Sequence, residues 1–225
     1  MLRPSQVLCL FVFSSIAFSS ILASSQTEAQ SPAVITFTID FPTSQPEHYS
    51  IRVQSDGAAR YQSSGRMSPD SDATDSFDLD FTLGAGTRQK IFELAAKAGY
   101  FQKDVDSRHK NLAFTGKKTL AYKDARRSGE STYNYSSQPA VQDLTNLMQS
   151  LSATLEFGHR LQYDRHYQKL ALDEEFKRME ELSRSSELIE VAAIQPILAQ
   201  IIADQSVINV TRARAQRLLD QAGAR

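Results

Sequence analysis

One stretch decides the fold, residues 137–184, which read SQPAVQDLTNLMQSLSATLEFGHRLQYDRHYQKLALDEEFKRMEELSR. Apolar residues recur at helical spacing through its first half, and rings and charges crowd its middle, so it predicts one long helix or one interrupted once. Ser137 can cap this helix, and Pro139 is tolerated in its first turn. The stretch lies between a β-rich front part and an apolar tail, and we expect it to join them.

Alternating apolar residues before this stretch predict a sheet. Residues 34–41, VITFTIDF, place Ile35, Phe37 and Ile39 on one face and polar residues on the other. Asp56-Gly57 is typical of a tight hairpin turn. By the same pattern we predict strands at 34–41, 48–55, 58–63, 76–82, 117–124 and 130–136. The fold class predicted is α+β, an antiparallel sheet of about five to six strands packed by helices and followed by an α-helical C-terminal region.

A helix is also predicted inside the β-rich part, at 88–98, with Thr87 as its N-cap. Residues 84–86, Gly-Ala-Gly, precede it and could cradle a phosphate, but the rest of a phosphate-loop pattern is absent, which favours a linking turn. The loop at 64–76 is rich in aspartate and invites a calcium interpretation. It lacks the glycine and terminal glutamate of an EF-hand, which favours a solvated loop.

The N-terminus carries the most specific sequence signal. Arg3 precedes an uncharged apolar run at 7–23, and small residues follow at the spacing that a signal peptidase prefers. The pattern predicts a signal peptide at 1–25 and a flexible tether at 26–33, the alternative being a short membrane anchor. We therefore expect an exported protein, periplasmic or secreted, with no membrane span after cleavage.

Composition limits the class of partner and of chemistry. The net charge of −1 over 225 residues gives no basic excess, which argues against nucleic acid as a partner. Cys9, within the predicted signal peptide, is the only cysteine, so the mature chain is expected to have no disulfide, thiolate nucleophile or cysteine-bound metal. An exported chain without disulfides fits a bacterial envelope better than a eukaryotic extracellular space.

The order of these elements resembles secreted bacterial domains of uncharacterised function. The resemblance covers about residues 34–155 and rests on a strand, an Asp-Gly hairpin ending in Tyr61, a helix ending in Gly99-Tyr100-Phe101, and a polar hairpin running into a Pro-started helix. It implies a fold rather than an activity.

The tail predicts two further helices. Residues 186–203 are apolar on nearly every side and must be buried, with Pro196 kinking or dividing them. Residues 207–221 carry arginines outward, and the pair is similar to one HEAT-like helical hairpin. The predicted division is an α+β domain at 34–157 and a helical region at 158–225, with a break of the long helix near Gly158 or packing of its second half on the tail.

The polar middle of the long helix is the candidate site. Its predicted binding residues are His159, Arg160, Tyr163, Arg165, His166 and Tyr167. Glu156 and His159 at i and i+3 form half of a paired-helix metal motif, but the second half is missing, so no metal or cofactor is expected. In a purely structural interpretation, the rings pack and arginines pair with Asp164 and Glu156.

Two functions remain open from the sequence. The favoured one is a non-catalytic binding or scaffolding module whose partner is another envelope protein, because Tyr and Arg are enriched at interfaces. The alternative is a hydrolase or metal-dependent enzyme built on Glu156, His159, Asp164 and His166. No catalytic residue is assigned, because the serines and histidines match no local nucleophile motif.

Overall fold

A computed structural model describes residues 31–66, 73–185 and 187–223. The predicted signal peptide and most of the predicted tether lie outside these described residues. The contacts with the sheet begin at Ala33, one residue before the predicted first strand. The amide of Ala33 donates to Ser55 Oγ at 3.0 Å, and its carbonyl accepts from the Ser55 amide at 2.8 Å. The fold is α+β, as predicted, with six strands and five α-helices in the described residues.

The six strands form one sheet in which every neighbouring pair is antiparallel. They are β1 (Val34–Asp40), β2 (His48–Gln54), β3 (Ala58–Arg66), β4 (Thr74–Thr82), β5 (Lys117–Lys123) and β6 (Ser128–Tyr133). Their order across the sheet is β4-β3-β2-β1-β5-β6, so β4 and β6 are the edge strands. The hairpin β5–β6 lies at one side of the sheet.

The strand register lines up one apolar row across the sheet. Phe37 pairs with Ile51 on one side and with Leu120 on the other, and Tyr61 joins Ile51 to Leu79. Because side chains alternate between the faces of a strand, this register puts the buried residues of every strand on one face. That face needs a cover, which the helices supply.

The helices are α1 (Ala85–Lys97), α2 (Pro139–Tyr167), α3 (Leu172–Arg184), α4 (Gln195–Ala203) and α5 (Asn209–Gly223), with short 3₁₀ turns at Gly99–Phe101 and Val191–Ile194. Two predicted caps are wrong. The N-cap of α1 is Gly84 rather than Thr87, and the N-cap of α2 is Gln138 rather than Ser137. Pro196 divides the apolar tail as predicted, because α4 begins beside it.

Helix α2 crosses the sheet from one edge to the other. Thr145 hydrogen-bonds the Tyr133 hydroxyl of β6, and His159 stacks on Phe77 of β4. The chain rises about 21 Å between these two helical positions, and six strands span about 24 Å, so this part of α2 covers the full width of the sheet. Residues 160–167 therefore extend beyond the edge at β4.

Gly158 marks a close contact rather than a break. Helix α2 is continuous through it and ends at Tyr167, so of the two predicted outcomes the second applies, with the overhanging half packed on the tail. A β-carbon at Gly158 would lie 2.6 Å from Ile194 Cγ2 and 3.2 Å from Ile197 Cδ1. The absent side chain lets the tail approach the helix backbone.

Ion pairs fix the C-terminal helices to one another. Arg214 of α5 contacts Asp173 at 3.0 Å and Glu180 at 2.5 Å, both on α3, and Arg217 contacts Glu180 at 2.7 Å. Helix α5 thus closes over α3, while α4 packs against α2 and α5.

A carboxylate of the tail occupies the N-terminus of α1. Glu190 accepts from the Gly84 amide at 2.9 Å and from the Thr87 hydroxyl. A helix N-terminus favours an anion because its first amides lack partners. The position that the sequence offers to a phosphate is therefore filled by the chain's own glutamate, which ties the tail to the sheet.

Replacing Gly158 with alanine should lower the free energy of unfolding by about 1–2 kcal/mol, measured by urea denaturation. Alanine gains about 1 kcal/mol of helix propensity, but the overpacking against Ile194 is expected to exceed that gain. Gly86→Ala is the matched control, because Gly86 lies in α1 with no atom within 4 Å of an added β-carbon, and its stability should be unchanged or slightly higher. Equal stability of Gly158→Ala and the wild type would contradict the close contact.

Candidate functional site

A cleft of about 450 Å³ opens where the overhang of α2 meets the edge of the sheet. It is lined by the loop between β1 and β2, the adjacent ends of β3 and β4, the second half of α2 and the start of α3. Of the six predicted binding residues, three line it, namely His159, Arg160 and Tyr163. The cleft exists because α2 is longer than the sheet is wide.

Glu156 lies at the inner wall of the cleft, and both of its carboxylate oxygens accept hydrogen bonds. Its Oε1 accepts from the Tyr61 hydroxyl and from Ser63 Oγ, both at 2.7 Å, and its Oε2 accepts from His159 Nδ1 at 3.3 Å. Ser152 Oγ lies 3.0 Å from the same Tyr61 hydroxyl. Glu156 and His159, the pair at i and i+3 that resembles half of a metal motif, therefore hydrogen-bond each other.

His159 is held between two carboxylates and an aromatic ring. Its second ring nitrogen, Nε2, lies 3.1 Å from Asp75 Oδ2 at the start of β4. Its ring is parallel to Phe77, with centroids 4.6 Å apart and planes 7° from each other. Both nitrogens therefore face carboxylates, which favours the imidazolium with a proton on each.

The pKa values of this network follow from its geometry. Burial alone would lower the pKa of His159, but the hydrogen bond to Glu156 and the charges of Glu156 and Asp75 raise it above its usual value. Burial alone would raise the pKa of Glu156, and its bonds to His159, Ser63 and Tyr61 lower it instead. Each shift favours the charged form of its group, and both groups are bonded to each other and to the sheet, which suits neither for proton transfer.

Arg160 turns away from Asp164. Its Nε donates to Glu175 of α3 at 2.9 Å, and its guanidinium lies over the Phe157 ring, 4.3 Å from the centroid. The structural interpretation that paired arginines with Asp164 and Glu156 is therefore wrong, because the acid that receives Arg160 comes from another helix.

Asp164 carries the one carboxylate in the cleft lining to which no described residue donates a bond. Its side chain lines the cleft, the residue is only 8% exposed, and no hydrogen bond or ion pair reaches its carboxylate from the described residues. Burial and the neighbouring Glu175 raise its pKa, against the opposing influence of Arg160. The Asp164 carboxylate is thus open to the cleft and has no partner among the described residues.

The remaining predicted site residues lie outside the lining of the cleft. Arg165 faces the tail, where its Nη1 donates to Gln200 at 2.8 Å and its Nε lies 3.5 Å from Asp204. His166 contacts the ring of Tyr167, at 6.1 Å between centroids, and does not converge on the other predicted enzyme residues. Arg165 is thus a packing residue.

Two tyrosines stand at the rim of the cleft. The rings of Tyr163 and Tyr167 are 4.9 Å apart, and the residues are 38% and 75% exposed. Tyr163 lines the cleft and Tyr167 extends the surface toward the end of α2. Together they form an exposed pair that we name the tyrosine ridge.

Several lining residues were missed by sequence reasoning, among them Asp75 and Glu175. Both come from elements whose position relative to α2 is tertiary, so no local spacing signals them. In the part of the chain that the structure describes, no group of three or more His, Cys, Asp or Glu side chains could hold a metal ion. Two aspartates of the predicted solvated loop, Asp70 and Asp72, lie outside the described residues.

No family model matches this chain, and no curated protein matches it. The resemblance to secreted bacterial domains stays a prediction, and the function is argued from the cleft. Between residues 31 and 223, wherever the chain is described, no helix is both long and apolar enough to cross a membrane.

The His159 network predicts a specific pH dependence of stability. Because the pKa of His159 is raised in the folded state, its contribution is fully present below about pH 6.5 and is lost as the pH rises through the folded-state value. The contribution of Glu156, whose pKa is lowered, is present above about pH 4.5 and is lost as the pH falls through its own folded-state value.

His159→Gln should therefore remove the decline of unfolding free energy above pH 6.5 and lower stability at pH 6 by about 1–2 kcal/mol. Urea denaturation from pH 5 to pH 9 measures both effects. His166→Gln, at an exposed position of the same helix, is the control and should keep the wild-type slope. A variant at His159 with an unchanged slope would show that the histidine is not charged in the folded state.

Proposed function

We propose that the protein is an exported, non-catalytic binding module of a bacterial envelope, with the cleft and the tyrosine ridge as its binding surface. The observation that carries the proposal is the ridge itself, two exposed tyrosines whose rings are in contact beside a cleft of about 450 Å³. Tyrosine is enriched where proteins bind one another, because it offers a large contact area with few rotatable bonds. The proposed partner is another envelope protein.

The rigid support under the ridge favours this function. The helix that carries both tyrosines is fixed on the sheet side by His159 and Glu156 and on the tail side by Arg165. A surface held in this way loses little conformational freedom on binding. The overhang therefore presents its side chains in one arrangement.

The charge of the cleft suits a basic rather than a phosphate-bearing partner. Carboxylates of Asp75, Glu156, Asp164 and Glu175 line it, against the cations of Arg66 and Arg160 and the ring of His159. Nucleic acid prefers the opposite balance. The net charge of the chain, −1, agrees with this preference.

The alternative, a hydrolase, has less support from the geometry. Three of its four predicted residues share the cleft, but Glu156 and His159 are bonded to each other and to the sheet. The nearby hydroxyl of Ser63 donates to Glu156 and so has no histidine base to activate it. Asp164 would be the one free acid, without an activated nucleophile beside it.

The test is affinity capture from an envelope extract of the source bacterium, followed by binding measurements with the purified partner. The double variant Tyr163→Ala, Tyr167→Ala should weaken binding at least about tenfold, as truncating a central interface tyrosine typically does. Thermal unfolding should be nearly unchanged, because both side chains are exposed.

Tyr135→Ala is the matched control. Tyr135 is 44% exposed and accepts a hydrogen bond from Gln142, about 30 Å along α2 from the ridge, so its loss should leave binding intact. Capture of no specific partner, or full binding by the double ridge variant, would contradict the proposal.

A further inference from the structure

Asp164 differs from the other carboxylates of the cleft because no described residue donates a hydrogen bond or ion pair to it. Glu156 has three donors, Asp75 faces His159, and Glu175 receives Arg160. The Asp164 carboxylate has no hydrogen bond or ion pair from any described residue, although the residue is 8% exposed. The carboxylate oxygens remain accessible from the cleft, so a ligand that enters the cleft can supply the donor that no described residue provides.

The nearest cation is already committed elsewhere. Arg160 lies one helical turn before Asp164, at the spacing that often forms an ion pair, yet its guanidinium bonds Glu175 and covers the Phe157 ring. Releasing it to Asp164 would leave Glu175, also largely buried, without its donor. Internal rearrangement therefore moves the unpaired charge without removing it.

The cleft around Asp164 has room and chemistry for an external cation. Its volume of about 450 Å³ lies in the range of small-molecule sites and exceeds what a single lysine or arginine side chain needs. Tyr163 lines the same cleft, and an aromatic face beside a carboxylate attracts an ammonium or guanidinium group. The excess of carboxylates favours a cation over an anion.

We propose that the cleft binds an ammonium or guanidinium group, which pairs with the Asp164 carboxylate beside the Tyr163 ring. This inference rests on the proposed function and names the chemistry that the binding module recognises. The cation comes either from a small amine or from a lysine or arginine side chain of the partner protein. In both cases the cation donates to the Asp164 carboxylate, which has no donor among the described residues.

Binding to the purified protein is measured by calorimetry with two cationic probes. Cadaverine represents a free amine, and an acetylated, amidated pentapeptide with a central lysine represents a protein side chain. The uncharged 1,5-pentanediol, of the same length as cadaverine, should not bind. Binding of cadaverine alone assigns a small amine as the ligand, whereas tighter binding of the peptide assigns a partner's side chain.

Asp164→Asn is the decisive variant, because it keeps the shape of the side chain and removes the charge. It should weaken the better probe at least about tenfold and raise the Tm of the free protein by about 2–4 °C, since partial burial and the neighbouring Glu175 both disfavour the charged form. Asp143→Asn, at an exposed position of the same helix, matches the change in net charge and should alter neither value.

Two results would overturn the inference. One is that neither cationic probe binds, and the other is that Asp164→Asn binds as tightly as the wild type. If the envelope partner is still captured through the tyrosine ridge in either case, the proposed function stands and only the cation is wrong. If the ridge variants also retain full capture, the proposed function is contradicted as well.

Discussion

Helix α2 is longer than the sheet beneath it is wide. The carboxylate of Glu156 fixes the position of the helix on the sheet and so determines which residues extend beyond the sheet edge. A buried carboxylate is tolerated only when its oxygens are bonded, and those of Glu156 are bonded by Tyr61 and Ser63 of β3 and by His159. Sliding the helix by one turn would break the bonds of Glu156 to Tyr61 and Ser63 and would separate His159 from Asp75. The last eight residues of α2 must therefore project past β4, where the tail covers one side of them and the cleft opens on another.

The same constraint separates structural from available charges. Burial and the neighbouring Glu156 carboxylate raise the pKa of Tyr61, so its phenol stays protonated and donates to Glu156. His159 is bonded on both ring nitrogens, and Arg160 is fixed on α3 through Glu175. What the overhang leaves for a partner is Asp164 and the tyrosine ridge. The bonded residues Glu156 and His159 thus lie within three turns of Asp164 and the tyrosine ridge on the same helix.

Much of this architecture is predictable from the sequence, because it depends on local pattern. Alternation in residues such as Ile35, Phe37 and Ile39 indicated the strands, and Pro196 indicated where the tail divides. The site is less predictable, because its bonds are tertiary. A glycine inside a helix is equally consistent with a break in the helix and with a close approach by another element. At Gly158 it is a close approach, made by Ile194. Nothing near Arg160 in the sequence reveals that Glu175 of another helix outcompetes Asp164 for it.

Glu156 is a bonded, structural carboxylate, whereas no described residue bonds the carboxylate of Asp164. A pH titration of side-chain carboxyl ¹³C signals by NMR, with both residues assigned through Glu156→Gln and Asp164→Asn, distinguishes the two. We expect a pKa of Glu156 below the ordinary 4.5 of glutamate and a pKa of Asp164 above the ordinary 3.8 of aspartate. A pKa of Asp164 at or below 3.8 would contradict this difference, because it would show that the protein already supplies a partner to Asp164.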